Sequence, residues 1–331
     1  MAKVVKKLQD NWKKLVLFSG ASAYGVKYAT NKYEELDIRR QYCKKAQAYG
    51  QQCLYPNENP RKVTVFLNPA ANNRKCTQLF DKNAAPLFHL AGLDVTVIKT
   101  EREGQAKAYM DVIGLEDTDA IVVAGGDGTV AEVMTGLLRR KDQDFVKRIS
   151  IGILPLGETN SLARSIFSDT ASQVRWICES ALAVVEGLKR PIDLMAITGN
   201  EGKTVYAASS IQWSHFRDAE TTKSKYWYFG PLKHRWTYVW ATVKKWPPEL
   251  KARLSYILPC SGCSKCETPP PPEEKKQRGW LSFLLPPPKK KEPVKDYAHI
   301  INEECGVEHK LDVNTSELTV LSSNLLEKQL S

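Results

Sequence analysis

The stretch GGDGT at Gly125–Thr129 combines residue types that bind phosphate. It follows a run of β-formers, AIVVA, and precedes the amphipathic run VAEVMTGLLRR. Glycines let the backbone turn tightly and approach an anion, and the free N–H groups and partial positive charge of a helix N-terminus attract it. An aspartate there would repel bare phosphate, so Asp127 predicts a bridging Mg²⁺ or a carboxylate that takes a proton from an attacking hydroxyl. A purely structural turn is the simpler alternative.

Three further polar loops follow predicted strands. Asn68 ends KVTVFLN, Thr100 ends DVTVIKT, and Gly157 and Glu158 follow SIGILPL. Ligands of an open parallel sheet bind at the carboxyl ends of its strands, so these loops and GGDGT predict a nucleotide-sized site at one edge. Neither the spaced glycines of a dinucleotide fingerprint nor a Walker P-loop matches the sequence.

Strands alternate with helical segments between residues 61 and 190, which indicates βαβ units, a parallel sheet and an α/β fold. The predicted strands are 62–68, 94–100, 120–126 and 150–157. The predicted helices are 74–91, 105–115, 130–140 and 171–187. After Arg190 the sequence changes to strand-like segments with little helix, which predicts a mainly antiparallel second domain. Its predicted strands are 191–198, 203–213, 251–258 and 316–323.

We therefore expect three parts: a basic N-terminal segment at 1–60, a Rossmann-like nucleotide domain at 61–190, and a β-rich domain at 191–331. The last contains a low-complexity loop at 260–293, in which two proline clusters flank the apolar run GWLSFLL. That run is either the centre of an extruded loop or a second contact with a membrane.

The N-terminal segment has the composition of a membrane-associated sequence. Residues 1–33 contain seven lysines and one acid, Asp10, and lysines and aromatic residues flank the apolar stretch Leu15–Ala29. The stretch is short for a membrane span, which needs about 20 residues. A marginal anchor, an interfacial helix and an uncleaved targeting segment remain open, with a plain surface helix as the alternative.

The net charge of +11 indicates an anionic partner such as a nucleotide or an acidic lipid surface. Basic residues are scattered or lie in tails and no nucleic-acid motif is present, so we expect no nucleic-acid partner. Among the eight cysteines, Cys260, Cys263 and Cys266 form a C-x-x-C-x-x-C motif. These three thiols would hold a soft metal if a fourth ligand came from elsewhere, but no paired motif follows, so free thiols are the simpler interpretation. The other cysteines, including Cys305, are isolated in sequence.

Three ordered motifs, NPAANNRK, GGDGTVAEV and PLGETNSLAR, resemble those of the diacylglycerol-kinase-like lipid kinases, the group that includes the sphingosine kinases. The resemblance runs from about residue 61 to the C-terminus and is nearest to a mitochondrial branch of the family. It implies an α/β nucleotide domain followed by an antiparallel β-sandwich. It also implies transfer of the γ-phosphoryl group of ATP, with Mg²⁺, to the primary hydroxyl of monoacylglycerol or diacylglycerol, giving lysophosphatidic or phosphatidic acid.

The same resemblance implies roles for individual residues. Asp127 would be the general base or hydroxyl orienter. The phosphates would be cradled by Gly125, Gly126, Gly128 and Thr129. The nucleotide would be lined by Asn68, Thr100, Gly157 and Glu158. Lys233 would reach the phosphates, and Glu220, with Asp218 as second choice, would hold the polar head of the substrate. From the residues alone, these last three are equally compatible with solvated charges.

The sequence departs from the family pattern in two ways. Ala71 and Asn72 stand where Ser-Gly is usual, and Glu158 and Ser161 replace a threonine and an acid. The chain also ends at Ser331 before the late Asp/Glu motif that helps hold Mg²⁺ in this family, so we expect a truncated sandwich.

A non-catalytic role is the alternative implied by the resemblance: a subunit of the carrier translocase of the mitochondrial inner membrane, exposed to the intermembrane space. An NAD kinase would share GGDGT, but PLGETNSLAR is more typical of lipid kinases.

Overall fold

In a computed structural model of the chain, the described residues are 12–52, 59–167, 172–199, 202–214, 219, 222–244, 246, 249–260, 262–266, 297, 299–322 and 324. They divide into two compact units. The first lies within Met1–Ile211 and Thr319–Ser331, and the second within Gln212–Leu318. The three-part division expected from the sequence stays a prediction.

A four-stranded parallel sheet is the centre of the first unit. Its strands are β1 Lys62–Leu67, β2 Asp94–Lys99, β3 Ala120–Gly125 and β4 Ser150–Pro155. Their order is β2-β1-β3-β4, and Val65 of β1 lies opposite Val97 on one side and Val122 on the other. The predicted α/β fold is confirmed, and each of the four strands lies within a segment that the sequence predicted to be a strand.

Helices cover both faces of this sheet. They are α1 Trp12–Gly50, α2 Cys76–Asn83, α3 Ala85–Leu90, α4 Gln105–Met110, α5 Asp127–Arg139, α6 Gln143–Arg148, α7 Ser161–Ile166 and α8 Gln173–Glu186. Strand side chains alternate between faces, so Val65 packs with α1, α2, α3 and α8 while Phe66 packs with α4, α5, α6 and α7. Two hydrophobic cores hold the sheet edge in place.

The helix predicted at 74–91 is two helices with a break at Ala84. Pro86 lies in the first turn of α3, where its missing N–H costs no helical hydrogen bond, so a helix starts readily there but does not run through. A short turn at Ala71–Arg74 precedes α2, with positive φ at Asn72, Asn73 and Arg74. Asparagine tolerates this left-handed backbone better than most residues.

Helix α1 extends well beyond the apolar stretch that the sequence highlighted. Ile38, Tyr42 and Ala46 are buried in the core, whereas residues 19–34 are exposed. Tyr42 donates a 3.0 Å hydrogen bond to Glu179 of α8, and Arg39 donates a 2.8 Å bond to Asn83. Among the described residues, no helix has the length and apolarity needed to cross a membrane.

The later strands form two-stranded pairs. β5 Met195–Thr198 is antiparallel to β6 Thr204–Ala207, β7 Ser210–Ser214 pairs with β10 Glu317–Leu321, and β8 Leu250–Ile257 is antiparallel to β9 Glu308–Thr315. A 3₁₀ segment, Lys223–Leu232, leads into α9 Lys233–Lys244, so the second unit contains more helix than predicted. The run GWLSFLL lies outside the described residues.

Candidate nucleotide-phosphate site

The strand order places a topological switch point between β1 and β3. From β1 the chain moves outward to β2 on one side, whereas β3 and β4 lie on the other. Loops leaving the carboxyl ends of two such strands diverge and open a crevice, where α/β proteins bind ligands. Asn68 follows β1 and Gly125 ends β3, so two of the predicted loops flank this crevice.

The turn after β3 runs directly into α5. Gly126 is extended (φ −103°, ψ −173°) and caps the helix, which begins at Asp127. The free N–H groups of the first helical turn therefore lie at the carboxyl edge of the sheet, which is the arrangement that binds anions. A helix start three residues earlier than predicted places the whole GGDGT motif at this terminus.

Asp127 has a defined set of hydrogen-bond partners. One carboxylate oxygen accepts from the backbone N–H of Ser161 at 2.9 Å and the other from that of Leu162 at 3.3 Å. These are the first residues of α7, so Asp127 joins the turn after β3 to the helix that follows β4. An ionised carboxylate has about four acceptor positions, which leaves two for a hydroxyl or a magnesium ion.

Two of the glycines lie in close backbone contact. A Cβ at Gly157 would overlap the backbone of Gly126, and a Cβ at Gly126 would lie 3.0 Å from the carbonyl oxygen of Thr159. Asn160 fixes this contact, since its side chain accepts from the N–H of Gly157 and donates to its carbonyl, both at 3.0 Å. Gly128 differs, because a Cβ there would meet no atom within 4 Å.

A side-chain hydrogen bond crosses the switch point. Nδ2 of Asn68 donates to Oγ1 of the buried Thr129 at 3.1 Å, while Oδ1 of Asn68 accepts from the N–H of Ala70. Thr100 follows β2 and donates its backbone N–H to Leu67 at 2.9 Å. Glu158 is exposed on the loop after β4. The described contacts therefore connect the loops after β1, β3 and β4, and the roles of these residues in nucleotide binding stay a prediction.

Three further predicted residues belong to the later part of the sequence. Lys233 begins α9 of the second unit, and its contact with phosphate stays a prediction. Asp218 and Glu220 lie outside the described residues. Sequence reasoning placed Asn160 only among the polar residues that follow the fourth strand, and it did not include Glu132. Glu132 of α5 accepts from the N–H groups of Ala106 at 3.0 Å and Lys107 at 3.3 Å.

Comparison with known proteins identifies the family. The profile described as "Diacylglycerol kinase catalytic domain" matches residues 62–197, and "Acylglycerol kinase C-terminal" matches 208–324. An uncharacterized protein of Caenorhabditis elegans is 34% identical over 97% of this chain and 74% of its own length. The chain belongs to the diacylglycerol-kinase-like lipid kinase family. The resemblance carried by the three motifs is confirmed.

Two curated relatives in this family are "Acylglycerol kinase, mitochondrial" of Xenopus laevis, 44% identical over 78% of this chain, and of Homo sapiens, 43% identical over 77%. The alignments cover 61% and 60% of those proteins, so the chain spans about three fifths of their length. A third profile, "Inner membrane protein import complex subunit Tim54", matches residues 5–111.

Proposed function

We propose that this chain is an ATP-dependent lipid kinase that phosphorylates monoacylglycerol and diacylglycerol to lysophosphatidic and phosphatidic acid. The observation that carries the proposal is the helix terminus of α5 at the β1/β3 switch point, where the glycine turn, Asn68 and Asp127 meet. The kinase family and the acylglycerol kinase relatives support ATP as phosphoryl donor and an acylglycerol as acceptor.

The residues of the turn act by positioning charge. In phosphoryl transfer the substrate hydroxyl attacks the γ-phosphorus while the bond to the β-phosphate oxygen breaks, so catalysis depends on alignment and charge neutralisation. Backbone N–H groups of Gly128 and Thr129 hold the phosphate oxygens, and Asp127 accepts the proton of the attacking hydroxyl. Its two bonds to α7 hold the carboxylate in one orientation.

Magnesium fits this turn as an ion delivered with ATP. Mg²⁺ commonly uses one or two carboxylates together with substrate phosphates and water, and Asp127 supplies one carboxylate beside the glycine backbone. When bound, the ion neutralises charge on the phosphate oxygens. Glu158 on the loop after β4 is an exposed acid at the same edge of the sheet.

An aromatic strip in the second unit supports contact with a lipid surface. The rings of Phe229 and Trp236 stack at 4.6 Å and those of Trp236 and Trp240 at 6.1 Å. Trp227 is 77% exposed and Trp246 is 80% exposed. Tryptophan and tyrosine are enriched at membrane interfaces, and the positive net charge attracts anionic lipid. We place the protein at the mitochondrial inner membrane, facing the intermembrane space.

Phosphate transfer from labelled Mg·ATP to monoacylglycerol in detergent micelles tests the proposal. Labelled lysophosphatidic acid is expected from the 331-residue chain, and Asp127→Asn is expected to lower the rate by about 10²- to 10⁴-fold, the usual contribution of a general base.

Glu132→Gln is the matched control for this variant. Both acids belong to α5 and both accept two backbone N–H groups at the start of another helix, but only Asp127 lies in the glycine turn. The control is expected to keep its rate. Equal losses in the two variants would show that Asp127 acts only as a helix cap, and no product from the unaltered chain would contradict the kinase proposal.

A second candidate function is favoured by the Tim54 match, which covers α1 and the first two strands. In this proposal the chain is a subunit of the mitochondrial inner-membrane carrier translocase, held by its N-terminal segment. Deletion of residues 1–33 is then expected to abolish co-purification with import subunits, while Asp127→Asn leaves it unchanged. The reverse result would reject the second function.

A further inference from the structure

Four cysteine side chains of the second unit lie close together. All four are free thiols, and their sulfur atoms lie within 4.8 Å of one another. We call this the four-cysteine cluster: Cys260, Cys263, Cys266 and Cys305. Cys305 supplies the fourth thiol that the sequence motif lacked, and the 38 residues between Cys266 and Cys305 concealed it.

The β8–β9 register explains why Cys305 lies there. Ile257, the last residue of β8, lies opposite Glu308, the first residue of β9. Three residues after Ile257 and three residues before Glu308, the same antiparallel register reaches Cys260 and Cys305. The cluster therefore lies just beyond the Ile257–Glu308 end of the ladder, where the two strands would otherwise separate. Its position follows from the backbone pairing of β8 with β9.

The sulfur geometry matches tetrahedral thiolate coordination. A tetrahedron with metal–sulfur bonds of about 2.3 Å has edges of about 3.8 Å, and the sulfur atoms of Cys263 and Cys266 are 3.7 Å apart. The backbone N–H of Cys263 donates to the sulfur of Cys266 at 3.4 Å, and Nδ2 of Asn302 donates to that of Cys260 at 3.3 Å. Such outer hydrogen bonds orient metal ligands.

The backbone on both sides of the cluster is tied together. Ser264 donates its N–H to the carbonyl of Ile300 at 3.0 Å, and Cys305 donates to that of Asn302 at 3.3 Å. Gly262 has φ +120°, and a Cβ there would overlap the ring of Tyr297. A glycine is therefore needed at position 262 for the C-x-x-C turn to pack against Tyr297.

The described residues of the second unit also form little apolar core at this end. Among its described residues, the buried hydrophobic side chains are those of Ala219 and Cys263. Small domains with so little core need a disulfide or a structural metal. We infer that the four-cysteine cluster is a structural zinc site that fastens the Ile257–Glu308 end of the β8–β9 ladder.

Metal content tests this inference on the full chain. Protein purified under reducing conditions and loaded with zinc sulfate is expected to retain one zinc per chain after gel filtration. Replacement of zinc by Co²⁺ is expected to give the thiolate-to-cobalt charge-transfer band and the ligand-field bands of a tetrahedral site. Asn302→Ala is expected to weaken metal affinity by about 10- to 100-fold, as for other outer-sphere partners.

Three variants separate a metal site from nearby thiols. Cys305→Ser is expected to lose the zinc, whereas Cys43→Ser, which removes a half-buried thiol of the first unit, is expected to keep it. Cys305→His restores four ligands and is expected to keep one zinc with a weaker charge-transfer band, which also shows that position 305 tolerates substitution.

Other outcomes would overturn the inference. The first is a metal-free chain in which all four thiols react with a thiol reagent. The second is oxidation of the four thiols to disulfides, which a reductant converts back to thiols. The third is the presence of iron with sulfide in place of zinc. Equal zinc content in the Cys305→Ser and unaltered chains would exclude Cys305 as a ligand.

Discussion

Gly128 and Gly157 border the same crevice but meet different surroundings. A methyl group at Gly157 would overlap the backbone of Gly126, whereas one at Gly128 would enter open space. At Gly128 the backbone conformation is ordinary and the surrounding space is open, so the structure of the protein itself does not require glycine there. An anion that approaches the N–H groups of the turn supplies the missing reason.

Two alanine variants test this difference. Gly157→Ala is expected to destabilise the protein by about 1–3 kcal/mol, the usual cost of overpacking. Gly128→Ala is expected to leave the free energy of unfolding unchanged or raise it by less than about 1 kcal/mol. Because the added methyl would meet the phosphates, this variant is expected to bind ATP at least about tenfold more weakly, a loss of about 1.4 kcal/mol. Denaturant unfolding and calorimetric titration with Mg·ATP measure the two effects.

Gly25→Ala provides the control for the alanine change itself, since Gly25 also has no neighbour within 4 Å and lies in the exposed part of α1. It is expected to leave ATP affinity unchanged. If Gly128→Ala binds ATP as the unaltered chain does, the phosphates do not lie over Gly128.

Residue types predicted the composition of the site but not its internal bonding. Glycine next to aspartate at a strand–helix junction was sufficient to locate Gly125–Thr129, and parallel topology brought Asn68 to it. The bonds from Ser161 and Leu162 to Asp127 involve backbone N–H groups 34 and 35 residues away. The side-chain types at positions 161 and 162 do not indicate such a bond, because the backbone makes it.

At the scale of elements, α1 has two halves with different roles. Leu15–Ala29 attracted attention through its hydrophobicity, yet Ile38, Tyr42 and Ala46 are the residues that pack into the core. Their spacing of four is the helical signal that the apolar stretch obscured. The exposed half is available to a membrane or an import subunit without cost to the fold.

Deletion of residues 1–33 is therefore expected to leave the free energy of unfolding nearly unchanged. Tyr42→Ala is expected to lower it by roughly 3 kcal/mol, because it removes a buried ring from the interface with α8. Tyr33→Ala is the control on the same helix, since Tyr33 is 75% exposed, and it is expected to change stability by less than about 0.5 kcal/mol. A large loss from the deletion would assign the exposed half to the folded core.

The strands of the first unit were easier to predict from the sequence than the elements of the second unit. β1, β3 and β4 are rich in apolar residues, as buried parallel strands require, and the more exposed edge strand β2 contains the β-branched run VTVI. β9 has the sequence EHKLDVNT and is mostly exposed, so neither a hydrophobic run nor a clear alternation marks it. α9 was missed because its aromatic and β-branched residues favour strands.

At the scale of the whole molecule, the two units are held by different means. The first has two hydrophobic cores on either side of a sheet. The second has a long β8–β9 ladder, an aromatic strip and the four-cysteine cluster, and few buried apolar side chains among its described residues. A ligand that binds only the folded state stabilises that state by RT ln(1 + [L]/Kd), so zinc would stabilise the second unit.

Hydrogen exchange with and without a zinc chelator is expected to distinguish the units. Removal of the metal should speed exchange of the β8 and β9 amides by at least about tenfold, because local stability is set by the contacts that close each segment. The amides of β1, β3 and β4 should exchange as before, since the first unit buries its own core. Cys305→Ser should exchange like the chelated protein, and chelation should then have no further effect. Equal exchange of β8 and β9 in all samples would show that the ladder is stable without a metal.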